Sequence, residues 1–164
     1  MNIRVGFGYD MHRFEQGRTL WIGGVKIDYP MGLKGHSDAD VLIHAICDAL
    51  LGAASLRDIG YHFPDTADDF LNIDSKILLK KTVELLRDKG YEVGNIDATI
   101  CAEKPKMNPH IPEMVSVLSH CMRIDEDAIS IKATTSEKMG FVGREEGITS
   151  YAVALIHKNR EPQL

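Results

Sequence analysis

The sequence has little cysteine, and none of it in a pairing pattern. Its three cysteines, Cys47, Cys101 and Cys121, stand inside periodic apolar segments with no C-x-x-C spacing. That argues against a disulfide framework or a thiolate metal site, and they read as small buried hydrophobes of a reducing compartment. No apolar run approaches the roughly 20 residues of a membrane span. Met1-Asn2-Ile3-Arg4-Val5 passes straight into a strand with no charged, apolar and cleavage regions in succession, so a cytoplasmic location is expected. There is no cationic excess either. A formal net charge of −5 and a pI near 5.8 argue against nucleic-acid binding. The GxxxxGK[ST] spacing of a P-loop is missing, and no Ser/His/Asp or Cys/His nucleophilic set stands out. Repeats, low-complexity tracts and linkers are absent too. What remains is 164 residues, 44% hydrophobic and 26% charged. That composition suits one soluble domain over residues 1–164, with about 158–164 as a C-terminal tail.

The pattern predicts a first strand through Val5–His12 and a hairpin, Thr19–Ile22 and Val25–Ile27, turning at Gly23-Gly24. A helix from about Asp38 to Ala53 follows, with Ser37 as its cap and Asp40 as the acidic member of a capping box. Gly52–Ile73 is a connection long enough to be a lid or binding loop. Asp74 caps a second helix that stops at Gly90. Asn95–Ala102, Ile129–Ala133 and Ile148–Ile156 read as strands, and Ile111, Met114, Val115, Leu118 and Met122 mark a third helix. The expected class is α+β: a four-stranded sheet plus a small hairpin, with helices over one face. The last strand is apolar on both faces, Ala152 and Ala154 on one and Val153 and Leu155 on the other. Helices account for one face, so a second subunit is expected on the other.

Three features could carry chemistry. A strand alternates faces with period two, so Asp10 and His12 point the same way as Gly6 and Gly8. The first helix is apolar almost all round except at Asp40, His44 and Asp48, spaced i, i+4, i+8 on one stripe. Asp10, His12 and His44 are therefore expected to meet around one divalent cation, a set that suits zinc with an open position. Asp40 or Asp48 would orient His44. Spacing alone equally allows a hydrogen-bonded group of core polars. The second feature is His36-Ser37, where the free amides and dipole of a helix start favour an anion. The third is Lys132-Ala133-Thr134-Thr135-Ser136-Glu137-Lys138 with the glycine-rich turn after it. Its hydroxyls and amides suit phosphate oxygens, and Glu137 suits Mg²⁺ or Mn²⁺; an ordinary polar turn remains the alternative.

With these residues in hand, the chain resembles the 2-C-methyl-D-erythritol 2,4-cyclodiphosphate synthases of the non-mevalonate isoprenoid pathway, from Gly6 to about Ile156. The motifs are Gly8-Tyr9-Asp10-Met11-His12, His36-Ser37-Asp38-Ala39-Asp40-Val41, Asp48-Ala49-Leu50-Leu51-Gly52-Ala53-Ala54, Asp58-Ile59-Gly60 with Phe63-Pro64-Asp65-Thr66, Pro105-Lys106-Met107, and Lys132 to Lys138. Tyr9 and Ser136 depart from the phenylalanine and threonine common in the family. The resemblance implies conversion of 4-diphosphocytidyl-2-C-methyl-D-erythritol 2-phosphate into the cyclic diphosphate with release of CMP, a phosphorus–oxygen lyase reaction. It implies zinc on Asp10, His12 and His44, and Mg²⁺ or Mn²⁺ near Glu137. His36 and Thr135 would stabilise the transition state, with Ser37 on phosphate. Ala102 to Asn108, Met107 and Asn108 among them, would cradle the cytidine with Ala133 and Thr134, Lys106 lying near its phosphates, and Lys138 would also bind substrate. Asp48, Asp58, Ile59, Gly60, Phe63, Pro64 and Asp65 would surround the methylerythritol. It further implies a homotrimer with active sites between subunits, and a central cavity at Phe141 and Arg144 that accepts an isoprenoid diphosphate. Two other readings stay open: a metal-dependent phosphohydrolase that activates water, and a non-catalytic trimeric binding module.

Overall fold

In the computed structural model, residues 2–64 and 72–158 are described. Asp65 and Thr66 of the expected substrate motif, and residues 159–164 of the expected tail, lie outside them. In chain order the strands are β1 (Ile3–Gln16), β2 (Leu20–Ile22), β3 (Val25–Ile27), β4 (Met31–Leu33), β5 (Tyr91–Cys101), β6 (Ile129–Thr134) and β7 (Gly147–Lys158). The helices are α1 (Val41–Ala53), α2 (Ile59–His62), α3 (Ser75–Asp88), α4 (Ile111–Met122) and α5 (Gly140–Gly143).

The main sheet has five strands in the order β4-β1-β7-β5-β6, rather than the four expected; β2 and β3 form the separate hairpin. The addition is β4, which pairs with the end of β1 through Phe14↔Leu33, Glu15↔Gly32 and Gln16↔Met31. Three residues following Pro30 are too few for an alternating pattern to register. All pairings in this sheet are antiparallel except β5 with β6. Lys158, placed in the expected tail, is the last residue of β7.

α1 crosses the inner face of β1 and β7, with α3 and α4 packed alongside. Leu42, Ile43, Ile46 and Leu50 from α1 meet Ile96, Ile100, Ile148 and Ile156 from the sheet, all fully buried. The approach is close because Gly6 and Gly8 have no side chains. A Cβ on Gly6 would strike the Ala49 carbonyl oxygen, and one on Gly8 the Ala45 carbonyl oxygen. Cys47 lies in this core, where burial pushes its thiol up to about 12, so it is an inert hydrophobe.

The start of α1 differs from expectation. Its cap is Asp40, whose side chain accepts the Ile43 amide at 3.0 Å, whereas Ser37 Oγ accepts only the Ala39 amide before the helix. Asp40 wins because it also holds the β2–β3 turn, accepting the Gly23 and Gly24 amides at 2.9 and 2.7 Å. Both glycines have positive φ, which the turn requires and which aims their amides at the carboxylate.

The sheet face away from the helices is apolar over β1 and β7. Val5, Phe7 and Tyr9 keep 64, 63 and 38% of their surface exposed, beside Tyr151 and Val153. Over β5 and β6 it turns polar, with Lys132 paired to Asp97.

Overpacking at the helix–strand contact sets a test. Gly8→Ala is expected to destabilise the chain by about 1–3 kcal/mol or more, read from denaturant midpoints. Gly52→Ala, on the solvent side of α1 with open space around it, should stabilise by about 0.5–1 kcal/mol. Equal effects would refute the close contact.

Candidate metal and phosphate site

The site forms where β1 runs beside α1. Asp10 Oδ2 lies 3.0 Å from His12 Nε2 and 3.0 Å from His44 Nδ1, and the two imidazole nitrogens are 3.3 Å apart. The three side chains are 25, 20 and 12% exposed, so the cluster is shielded yet open on one side. Tetrahedral bonds of about 2.0–2.1 Å to a common centre place donors roughly 3.3 Å apart, so this triangle can hold a divalent cation with little rearrangement. Among the described residues it is also the one histidine, cysteine and carboxylate cluster that could.

The surroundings set the charge state. Burial opposes the charge on Asp10, but His12 and His44, which donate to it when their rings are protonated, outweigh this and hold the pKa at about 2. Burial likewise opposes protonation of His12, yet Asp10 and the Lys34 carbonyl together raise its pKa. His12 Nδ1 is 2.7 Å from that carbonyl. A carbonyl only accepts, so Nδ1 carries a proton in either state; Nε2 is bare in the neutral ring and, once protonated, donates to Asp10, which is what raises the pKa. Contrary to expectation, neither Asp40 nor Asp48 orients His44. Asp40 is occupied by the cap and the hairpin turn, and Asp48 accepts the Ile59 amide at 2.7 Å. His44 Nε2 instead meets Ser75 Oγ at 3.0 Å and Ser37 Oγ at 3.2 Å.

The segment before α1 is clamped from outside. Arg18 donates to the Gly35 carbonyl at 3.0 Å and the Ser37 carbonyl at 2.7 Å, straddling His36. The His36 carbonyl accepts the Asn72 amide. His36, Ser37, Ile59, Gly60 and Phe63 join His12 and His44 around a cavity of about 360 Å³. Asp58 stands at its margin as the cap of α2, accepting the Tyr61 amide; Pro64 is exposed. Burial pushes the Asp48 pKa up, the Ile59 amide notwithstanding.

A second cavity of about 270 Å³ lies at the ends of β5 and β6, with Lys106, Met107, Asn108, Ala133, Thr134 and Thr135 in its wall. Ala102 is buried beside it, its amide bonded to the Thr134 carbonyl. The loop after β6 is organised by Glu103, which accepts the Ser136 and Lys138 amides at 3.1 and 3.0 Å. The Lys138 amide foremost, then the Ser136 amide and hydroxyl and the Lys138 charge, draw its pKa below the usual range against the opposing effect of desolvation. Thr135 Oγ1 donates to Glu137 at 3.1 Å, and Glu137 and Lys138 both have positive φ. Lys138 and Arg144 are exposed; Arg144 pairs with Glu146 and Phe141 is half-buried.

A family model, the YgbB family, matches residues 3–157. The chain belongs to the YgbB family. The 2-C-methyl-D-erythritol 2,4-cyclodiphosphate synthase of Phocaeicola vulgatus is 68% identical over 96% of this chain and 99% of its own length. That of Cytophaga hutchinsonii is 57% identical over the same shares. Among solved structures, the IspF of Plasmodium falciparum in complex with CDP superposes with a TM-score of 0.85 at 34% identity, covering 97% of this chain and 98% of that one. The bifunctional IspDF of Campylobacter jejuni gives 0.92 at 43% identity, over 96% of this chain and 42% of that longer one.

In this YgbB-family chain, the residues that sequence reasoning passed over are those acting at long range. Arg18, Asp38, Ser75 and Glu103 each fasten a loop that bears a site residue. Asp38 lies inside the His36–Val41 motif, and Ser75 follows the Asp74 cap. Nothing local marks their partners.

The protonation states predict how metal binding depends on pH. With a raised pKa, His12 contributes stability to the metal-free fold below its ordinary 6.5 that is lost as pH rises through the raised value. A cation needs His12 deprotonated, while Asp10 is ionised throughout. The rise in Tm on adding zinc should therefore be small near pH 5.5 and grow toward about pH 8.5. A zinc shift that is larger in acid would contradict this.

Proposed function

We propose that the protein converts 4-diphosphocytidyl-2-C-methyl-D-erythritol 2-phosphate into 2-C-methyl-D-erythritol 2,4-cyclodiphosphate and CMP. The observation that carries this is the Asp10–His12–His44 triangle beside a helix-start cavity, in a chain 68% identical to a synthase of that name. In the reaction an oxygen of the substrate's own 2-phosphate forms a bond to the β-phosphorus. The bond from that phosphorus to the bridging oxygen breaks, and CMP departs with the electron pair. A phosphate monoester has its second pKa at about 6, so the nucleophile is already anionic and no general base is needed. That agrees with the absence of a nucleophilic triad in the sequence.

The task left to the protein is to fold a flexible polyanion upon itself, and orientation of this kind can contribute about 7–11 kcal/mol. Ser37 and His36 would hold phosphate at the start of α1, and Thr135 would donate to the developing charge with His36. Lys106 and the Ala133–Thr134 wall would receive the cytidine diphosphate. Asp48, Asp58 and Phe63 would shape the methylerythritol side. A divalent cation on Asp10, His12 and His44, zinc by its donor set, would supply Lewis acidity and a template for the phosphates, with Mg²⁺ or Mn²⁺ near Glu137 balancing charge on the diphosphate.

The two cavities belong to strands three spacings apart, β1 and β6, so about 14 Å of sheet separates them in one chain. We propose that a homotrimer closes the apolar β1–β7 face and brings one subunit's metal cavity to its neighbour's nucleotide cavity. An isoprenoid diphosphate at Phe141 and Arg144 of the central space, and a cytoplasmic location, complete the proposal. Among the described residues no helix is long and apolar enough to cross a membrane.

Phosphorus NMR of the protein with the cytidylated 2-phosphate should show a cyclic diphosphate plus CMP, lost on adding a chelator. His12→Ala should lower the rate by more than about 100-fold. Inorganic phosphate or a linear product would favour the phosphohydrolase, and no turnover the binding module.

For the assembly, Phe7→Glu is expected to convert trimers to smaller species in sedimentation and to abolish turnover with the metal triangle intact. A wild-type chain that is monomeric and active would overturn the shared site.

A further inference from the structure

We infer that Asp38 and Ser75 are positioning residues for the metal centre: they fix the tautomer of His44 so that its Nδ1 lone pair faces Asp10 and His12. The inference deepens the proposed function only in its metal triangle, and needs neither the substrate nor the reaction.

It follows from counting protons. Asp38 receives two donors from one residue: its Oδ2 accepts the Ser75 amide at 2.9 Å, and its Oδ1 accepts the Ser75 hydroxyl. A carboxylate accepts and an amide N–H only donates, so the direction of both bonds is fixed. The Ser75 hydroxyl has a single proton, and it goes to Asp38. Toward His44 Nε2, at 3.0 Å, the Ser75 oxygen is left with lone pairs alone. Only a hydrogen on Nε2 gives that oxygen a hydrogen bond to the ring. Ser37 Oγ, 3.2 Å from the same nitrogen, already accepts the Ala39 amide and can accept again. A neutral imidazole bears one N–H, which leaves Nδ1 bare at 3.0 Å from Asp10 Oδ2.

The local field at Nδ1 favours the opposite arrangement. Asp10 is an acceptor at hydrogen-bond distance, and with Asp10 as its sole partner the ring would place its proton on Nδ1. A proton there blocks the position a cation must take. The Asp38–Ser75 pair acts against that preference from the far side of the ring. Ser75 is fully buried, so water cannot take over its role. His12 solves the same problem with the Lys34 main-chain carbonyl. His44 sits within α1, where the main-chain carbonyls serve the helix, and it draws on side chains from outside. Ser75 opens α3 and Asp38 precedes α1, so the bond also ties together the starts of the two helices.

The test uses the full-length chain and zinc alone, titrated against a chromophoric chelator. Ser75→Ala and Asp38→Asn are expected to weaken zinc binding by about 10–100-fold, while Ser75→Thr, which keeps the hydroxyl, stays within a few-fold of wild type. A folded Ser75→Ala chain, judged by circular dichroism, that binds zinc within about twofold of wild type overturns the inference. Should both disruptive variants fail to fold, the wild-type ring decides. In metal-stripped protein at about pH 9, above the ordinary histidine range, nitrogen NMR of His44 should show the proton on Nε2. A proton on Nδ1 there refutes the proposal. Because no substrate enters, a chain that binds zinc as expected but forms no cyclic product would refute the proposed reaction and leave this inference standing.

Discussion

The contact of α1 on β1 at Gly6 and Gly8 is the constraint from which the site follows. Helix and strand run in opposite directions there, and their repeats nearly coincide. Two strand residues advance about 6.6 Å and four helix residues about 6 Å. Gly6 lies under Ala49 and Ala53, and Gly8 under Ala45 and Ala49. One further step along both elements brings Asp10 opposite His44. A side chain at either glycine would lift the helix and open the triangle of 3.0–3.3 Å distances. The three residues of the candidate metal site are thus placed by two residues that touch nothing chemical. Burying the apolar circumference of α1 in the core supplies the force that holds the contact shut.

Much of this was legible because it depends on period. Alternation along β1 put Asp10, His12 and both glycines on one face, and the i, i+4 spacing exposed His44 on an otherwise apolar helix. The β2–β3 turn and the Asp74 cap of α3 were marked by local residue type. What escaped depends on partners distant in sequence. Ser37 and Asp40 are equally good caps by composition, and Asp40 is chosen by glycine amides 16 and 17 residues earlier. The Asp38–Ser75 bond spans 37 residues, and Glu103 reaches 33 and 35 residues forward. The strand β4 is paired only because β1 continues beyond His12 to Gln16, which no window around Met31–Leu33 reveals.

The same long-range bonds explain how an acidic chain builds a site for a polyanion. Asp38, Asp40, Asp48, Asp58 and Glu103 all accept main-chain amides. Their negative charge is directed into the backbone, where it fixes loops and helix starts. Asp40 is the limiting case. Burial pushes its pKa up, the nearby Asp38 adds to this, and three amides pull it back. Such a group persists because nearly all its hydrogen-bonding capacity is met.

The two cavities, one at each side of a single sheet, constrain the chemistry further. A substrate with a cytidine at one end and a phosphate nucleophile at the other must be bent for its ends to react. A rigid five-stranded sheet cannot supply that bend by moving, since a change of curvature would disturb every ladder at once. In the proposed homotrimer, neighbouring copies meeting on the apolar face would supply it by fixed placement, with no hinge. Catalysis by such an assembly would consist mainly of preorganised geometry, in which residues that hold other residues still matter as much as those that touch substrate.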